Sequence, residues 1–316
     1  MAIEHEPKPV IFLMGPTASG KTDLAVMLHE VLPVDIISVD SAMVYRGMDI
    51  GTAKPTADIL ARAPHRLIDI CDPAEAYSAG RFREDARAAI RDIHARGRTP
   101  LLVGGTGLYF RGLERGISRL PGADPALRQS LEEEADSVGW KKMHENLQKI
   151  DPDSATRIHP NDPQRIQRAL EVYELTGRPL SDWFRSGRSG SLGMPPVKLI
   201  VAPGERTRLH ERIRRRFLRM LDDELVEEVR CLYERQDLHA GLPSMRLVGY
   251  RQVWQYLDEE INHKDMINKA ITATRQLAKR QMTWLRAEQE AVRFDSEAPS
   301  VQRDVLNFLR HSRIFQ

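Results

Sequence analysis

The sequence predicts an α/β protein: a parallel sheet flanked by helices, with an all-helical insertion domain. Three observations predict it. A glycine-rich loop, Gly15-Pro16-Thr17-Ala18-Ser19-Gly20-Lys21-Thr22, lies between a short apolar run and a segment with helical spacing. Apolar strand-like runs then alternate with helix patterns, the order expected of a parallel sheet covered on both faces. From about Arg119 no convincing strand pattern appears until Val197.

Taken in order, Val10–Met14 reads as a buried strand, followed by the loop and a helix to about Leu32 carrying Leu24, Leu28 and Val31 on one face. Asp35–Val39 is a second strand, ending at Asp40 and Ser41. Ligands of open α/β sheets sit beyond the carboxyl ends of strands, so Asp40 is expected to face the same crevice as the loop. Tyr45–Pro55, with Gly47 and Gly51, reads as an active-site loop, and Leu67–Ile70 as a short strand. Phe82, Ala86, Ile90 and Ile93 recur at helical spacing before Gly97, and Pro100–Val103 is a strand ending in Gly104-Gly105-Thr106-Gly107. Helices are expected around Ala126–Ala135, Trp140–Ile150 and Gln164–Leu175, the last opened by Asp162 and closed by Gly177. Ser186–Pro196 reads as a flexible return loop to a strand at Val197–Val201. Helices follow at Leu209–Leu221, up to Tyr233, at Tyr250–Leu257 and at Asp265–Arg286, then a strand at Val292–Phe294 and a helix at Val305–Leu309. The expected organisation is a P-loop NTPase-like core in two parts, 1–118 and 197–316, around a helical insertion, 119–196.

The composition restricts the class. Hydrophobic residues make up 41% and charged residues 29% of 316 positions, with material for an ordinary core. Net charge is only +2, so affinity for nucleic acid has to come from local basic patches. Cys71 and Cys231 form no metal or disulfide pattern, the start Met1–Pro9 has no apolar leader run, and no run is long enough to span a membrane. The expectation is a cytoplasmic, soluble chain.

The loop fits G-x-x-x-x-G-K-[ST] in its diagnostic setting of strand, loop and helix. Its amides and the helix N-terminus suit negative charge, Lys21 adds a cation, and the Thr22 hydroxyl can ligate Mg²⁺ beside a phosphate. Asp40 has two readings, a holder of that metal or a general base. Ser38 and Ser41 either meet a substrate or cap the next turn. Thr106 and its glycines form either a strand-to-helix turn or a second substrate contact, and Tyr109 reads as core. Arg206–Arg219 is densely basic. Its apolar stripe, Leu209, Ile213, Phe217 and Met220, leaves Arg212 and Arg216 on an adjoining face, either solvated or reaching a leaving diphosphate. Arg246, Tyr250 and Arg251, and Lys279, Arg280, Gln281, Trp284 and Arg286, combine basic and aromatic residues suited to phosphates and unpaired bases, although Trp284 fits core at least as well. In the insertion Gln164, Arg165 and Arg168 can share one polar helix face.

With these residues assembled, the sequence resembles the tRNA dimethylallyltransferases, the isopentenyl-tRNA transferases of bacteria. The matching blocks are Gly15–Thr22, Ile37–Ser41, Tyr45–Pro55, Pro64–Leu67, Leu102–Thr106, Arg157–Arg165, Val248–Arg251 and Thr274–Arg280, in that order. The resemblance implies transfer of a dimethylallyl group from dimethylallyl diphosphate to N6 of the adenosine at position 37 of tRNAs reading codons that begin with U. It implies Asp40 as general base, with Thr106 and Arg216 beside the leaving diphosphate, Gly15–Thr22 as its cradle, and Mg²⁺ at Thr22. It further implies RNA along Asp40, Ser41, Ala42, Met43, Thr106, Arg128, Gln164, Arg165, Ile166, Gln167, Arg168, Arg246, Gly249, Tyr250, Arg251, Lys279, Arg280, Gln281, Trp284 and Arg286, with the insertion closing on the anticodon stem-loop and the chain acting as a monomer. Met43 stands where many members have glutamine, so a hydrogen bond expected there is absent or replaced. A small-molecule kinase, a prenyltransferase of free AMP or ADP, and a non-catalytic RNA-binding module are the rival readings of the same residues.

Overall fold

The run Ile11–Met14 forms strand β1 and is buried along its whole length, as a strand covered on both faces must be. The protein is described here from a computed structural model covering residues 9–187, 189–312 and 314–315. All but Pro9 of the polar start Met1–Pro9, and Arg188 of the expected return loop, lie outside the described residues. After β1 come α1 (Lys21–Val31), β2 (Val34–Val39), α2 (Ala57–Arg62), β3 (His65–Arg66), α3 (Ala79–Ala95), β4 (Thr99–Gly104) and α4 (Gly107–Arg115). Five helices follow: α5 (Pro125–Val138), α6 (Trp140–Ile150), α7 (Pro152–Arg157), α8 (Pro163–Thr176) and α9 (Leu180–Arg185). The chain ends with β5 (Val197–Ala202), α10 (Arg206–Asp222), α11 (Leu225–Tyr233), α12 (Tyr250–Leu257), α13 (His263–Arg286), β6 (Val292–Asp295) and α14 (Val301–His311).

The strands form one parallel sheet in the order β3-β2-β4-β1-β5-β6. The α/β class and the parallel, helix-flanked sheet are those the sequence predicts. Register then fixes where function can sit. Met14 and Val39 both stand beside Gly104, so β2, β4 and β1 end level with one another. The loop after Met14, Asp40 after Val39 and Thr106 after Gly104 therefore leave the same edge side by side. Beneath them Ile11, Leu13, Ile36, Leu101 and Leu199 pack with Leu24, Leu28, Val305 and Leu309.

Three short helices escape the sequence reading, and one expected strand is wrong. Leu67–Ile70 is not a strand, because Leu67 and Asp69 take φ of 64° and 57°. The strand lies earlier, at His65–Arg66, paired with Ile36 and Ile37. Helices α2, α7 and α9 have six residues each, too few to display an apolar period.

Residues up to Glu114 and from Gly193 onward form one compact unit, and Arg115–Leu192 form another. The second unit is helical and has its own core of Leu131, Met143, Leu147, Ile166, Leu170 and Leu180. Asp124, Asp151 and Asp162 each precede a proline and accept from the backbone three residues on, so all three helix starts are capped. Glu171 is fully buried and accepts from Arg128 Nε and Nη2 at 2.8 and 3.0 Å, from Arg168 at 2.6 Å and from the Asp124 amide at 2.9 Å. Arg168 also donates to Pro121 O at 2.6 Å, and Gln167 to Arg128 O at 3.0 Å. Arg128, Gln167 and Arg168 thus hold this unit together, and Ile166 is in its core. Of the RNA-facing residues expected on this unit, only Gln164 and Arg165 keep exposed side chains.

Burial by itself pushes the Glu171 carboxyl up, but the bonds from Arg128, Arg168 and the Asp124 amide prevail and hold it below its ordinary value. A depressed carboxyl stabilises above its unfolded-state value and loses that contribution as pH falls through the depressed one. Glu171→Ala should cost about 2–4 kcal/mol at neutral pH, because it leaves two arginines without their buried partner. Urea unfolding of the full chain should show this gap narrowing on acidification.

Candidate active site

The backbone around the phosphate loop is bent by a left-handed Gly20, φ 86°, immediately before α1, and by Ala18 at φ 62°. A positive φ at alanine is costly and recurs where backbone amides are aimed at a ligand. Lys21 opens α1 and folds back over the loop, donating to Pro16 O at 2.6 Å and Ser19 Oγ at 3.4 Å. The loop is also held from outside. Gln281 on α13 accepts from Thr17 N at 2.8 Å and donates to Gly105 O at 3.1 Å, tying the loop to the end of β4. Ala18 packs where Leu209 and Ile213 of α10 meet Ala278 of α13.

Two cavities meet at this edge. The first, about 1000 Å³, is lined by Thr17–Thr22, Asp40, Met43, Lys54, Arg216 and Gln281. Three further arginines of α10, Arg212, Arg215 and Arg219, also line it. The second, about 570 Å³, is lined by Ser41, Ala42, Thr106, Arg246, Gly249, Tyr250, Arg280 and Trp284. Thr17, Ala18, Asp40, Thr52, Arg216 and Gln281 line both. Asp40 and Arg216 therefore stand at the junction, and both cavities lie within one compact unit.

Local bonds fix the junction. Asp40 Oδ1 accepts from Ala42 N at 2.8 Å, and Thr106 Oγ1 accepts from Ser41 N at 3.2 Å, so Thr106 steadies the turn that carries Asp40. Ser38 is buried and donates weakly to Met43 Sδ, 3.9 Å away. Arg216 is half-buried and donates to Thr52 O at 3.4 Å. Burial pulls its guanidinium below the ordinary value, against the opposing pull of Asp40. Burial likewise lowers Lys21 to about 7; Asp40 works against this, while Arg216 and Arg212 add to it.

Comparison with known proteins identifies the family. The sequence matches the IPP transferase family over residues 43–288, more than half of the chain. The chain belongs to that family. It is 62% identical over 279 residues to a tRNA dimethylallyltransferase of Thioalkalivibrio sulfidiphilus, covering 88% of this chain and 87% of that one. It is 56% identical over 301 residues to the Coxiella burnetii tRNA dimethylallyltransferase, covering 95% and 97%. Among solved structures it is similar to a tRNA isopentenylpyrophosphate transferase from Bacillus halodurans, with TM-score 0.70, 38% identity and 96% of each chain covered. It is also similar to a eukaryotic dimethylallyltransferase acting on tRNA, with TM-score 0.79 and 28% identity over 98% of this chain and 81% of that one.

In this IPP transferase several expected contact residues have a second occupation. Tyr250 is fully buried, and its hydroxyl donates to Glu228 at 2.5 Å, so it is an internal strut and no stacking platform. Gln281 spends both ends of its amide on backbone. Trp284 is half-buried against Gly107 and Phe110 yet still lines the second cavity, with its buried Nε1 unpartnered. Tyr109 is core, stacked on Phe82 at 4.2 Å. Arg251, Lys279 and Arg286 are exposed and line neither cavity. Sequence reasoning missed Glu228 and Lys54. The first lies about 180 residues from the loop it binds, and the second is hidden among ordinary loop residues.

Because Lys21 lies near 7, it is mainly neutral at pH 8, whereas a bound phosphate group favours its charged form. Binding of a diphosphate monoester at pH 8 should therefore take up a proton, and affinity should fall as pH rises above 7. Calorimetry in buffers of different ionisation heat checks this. The uptake should vanish in Lys21→Met.

Proposed function

We propose that the first cavity holds the diphosphate of dimethylallyl diphosphate, that the second admits an adenosine turned out of a tRNA anticodon stem-loop, and that the dimethylallyl group passes between them at Asp40. The observation that carries this reading is the position of Asp40 and Arg216 on the wall common to both cavities. One is a base and the other an anion binder, and the reaction needs both at one point.

The chain is a dimethylallyltransferase of tRNA, and the acceptor is N6 of the adenosine at position 37 in tRNAs reading codons that begin with U. That exocyclic amine is a weak nucleophile and must lose a proton as its bond to the allylic carbon forms. Asp40 accepts this proton, and its bond from Ala42 N keeps one oxygen fixed while the other is free to do so. The carbon–oxygen bond to the diphosphate breaks on the opposite side, and inorganic diphosphate leaves. Loop amides, Lys21 and Arg216 receive the negative charge, with Arg212 as a further partner on the same helix face. Arg246, Arg280 and Trp284 face the base and its flanking phosphates.

The residues at Thr22 fit a magnesium ion. Thr22 lines the first cavity, and no group of three or more His, Cys, Asp or Glu forms a metal cage among the described residues. A phosphate-loop hydroxyl beside phosphate oxygens suits Mg²⁺, which keeps several of its waters. When bound, the ion would help neutralise the departing diphosphate. The proposal includes a monomer working in the cytoplasm, with Gln164 and Arg165 of the helical unit on the RNA. No helix among the described residues is long and apolar enough to cross a membrane.

The deciding experiment supplies labelled dimethylallyl diphosphate or labelled ATP with unmodified tRNA. Label should enter RNA from the prenyl donor alone; turnover of ATP without RNA contradicts the reading. Asp40→Ala should retain tRNA binding and lose ~10²–10⁴-fold in transfer, the scale of a general base. Arg280→Ala should weaken tRNA binding and reduce its salt slope by about one unit, checked by filter binding over a salt series.

A further inference from the structure

Glu228 lines neither cavity, yet it collects four hydrogen bonds. Its Oε2 accepts from the amides of Asp49 and Ile50 at 2.7 Å each, and its Oε1 from the Gly51 amide at 3.1 Å and the Tyr250 hydroxyl at 2.5 Å. None of these donors is a cation. A carboxylate with three consecutive backbone amides turned onto it fixes the path of that backbone, since charge-assisted bonds are about twice as strong as neutral ones.

The segment it fixes is a wall of the first cavity, through Asp49, Ile50 and Thr52. Two further bonds carry the constraint onward. The Thr52 hydroxyl donates to Met48 O at 2.6 Å, and the Thr52 carbonyl accepts from Arg216 at 3.4 Å. The other side is equally tight. The Tyr250 ring lies so close over Gly51 that a Cβ there would stand 2.5 Å from it. Tyr250 itself lines the second cavity. Burial first, and then the Glu228 charge, push its phenol far above the ordinary value, so it remains a donor throughout the working pH range.

We propose that Glu228 is a positioning residue for prenyl transfer: by holding residues 49–51 against Tyr250 it sets the cavity wall from which the Thr52 carbonyl aims Arg216 at the diphosphate. This rests on the reading that the first cavity holds the donor. Glu228 touches no substrate; it acts through the loop. Its neutral isostere should fail, because the amide NH₂ of glutamine faces N–H donors where the carboxylate accepts.

The test measures Glu228→Gln for donor KM, kcat, tRNA affinity and hydrogen exchange at residues 49–51. A displaced positioning element costs up to ~100-fold, so donor KM should rise ~10-fold or more while tRNA affinity stays within about twofold. Exchange at 49–51 should accelerate while that of β1 and β4 stays slow, and Glu228→Asp should restore part of the loss. Parental donor KM together with fast exchange at 49–51 overturns the proposal, and so does exchange as slow as in the parent. Should Glu228→Gln fail to fold, Tyr250→Phe removes one of the four donors and should raise donor KM by roughly two- to fivefold; an unchanged KM overturns the proposal. Arg216→Ala separates the two readings. If it leaves donor KM unchanged, the diphosphate assignment fails; if it is impaired while Glu228→Gln is not, only the role of Glu228 fails.

Discussion

Positive charge held partly out of water at one edge of a parallel sheet is the constraint on which the rest of this structure depends. Lys21, Arg212, Arg215, Arg216 and Arg219 line one cavity, and burial draws Lys21 down to about 7. A site that disfavours its own cations gains most when an anion arrives. The fold bears this cost because the cations lie on α1 and α10, which are anchored through Leu24 and Leu28 and through Leu209 and Ile213. The edge itself is set by register, since β1 and β2 both end beside Gly104.

Around that charge the chain places struts. Gln281 ties the phosphate loop to the end of β4, Thr106 steadies the turn bearing Asp40, and Glu228 holds the loop opposite. Each joins segments distant in sequence, so the site is a property of the closed fold and of no single motif. The helical unit follows the same logic on a smaller scale, with two arginines turned inward onto Glu171.

What could be read from the sequence follows the range of the interactions. Gly15–Thr22 and the strands at Ile11–Met14 and Thr99–Gly104 announce themselves locally, as do the caps Asp162 and Gly177. Leu67–Ile70 misled because its composition is apolar while its backbone is left-handed at two residues. Arg168 and Tyr250 are legible as basic or aromatic residues suited to RNA, whereas Arg128 enters only through the family resemblance. Their actual partners, Glu171 and Glu228, give no local signal, since a glutamate in an amphipathic helix looks solvated until the fold brings its donors to it. The junction of the two cavities is tertiary in the same sense: Asp40 and Arg216 are far apart in the chain and come to line the same walls only in the closed fold.

The central claim is that donor and acceptor meet at Asp40 from opposite cavities. The most direct measurement is a crystal structure of the full chain with an anticodon stem-loop and a non-hydrolysable thiolo-diphosphate analogue of the donor. The expected result places the diphosphate on Gly15–Thr22 against Arg216, and N6 of the flipped adenosine within about 3 Å of the free Asp40 oxygen, the reach of a general base. A diphosphate bound away from that loop, or an adenosine whose N6 lies out of reach of Asp40, contradicts it.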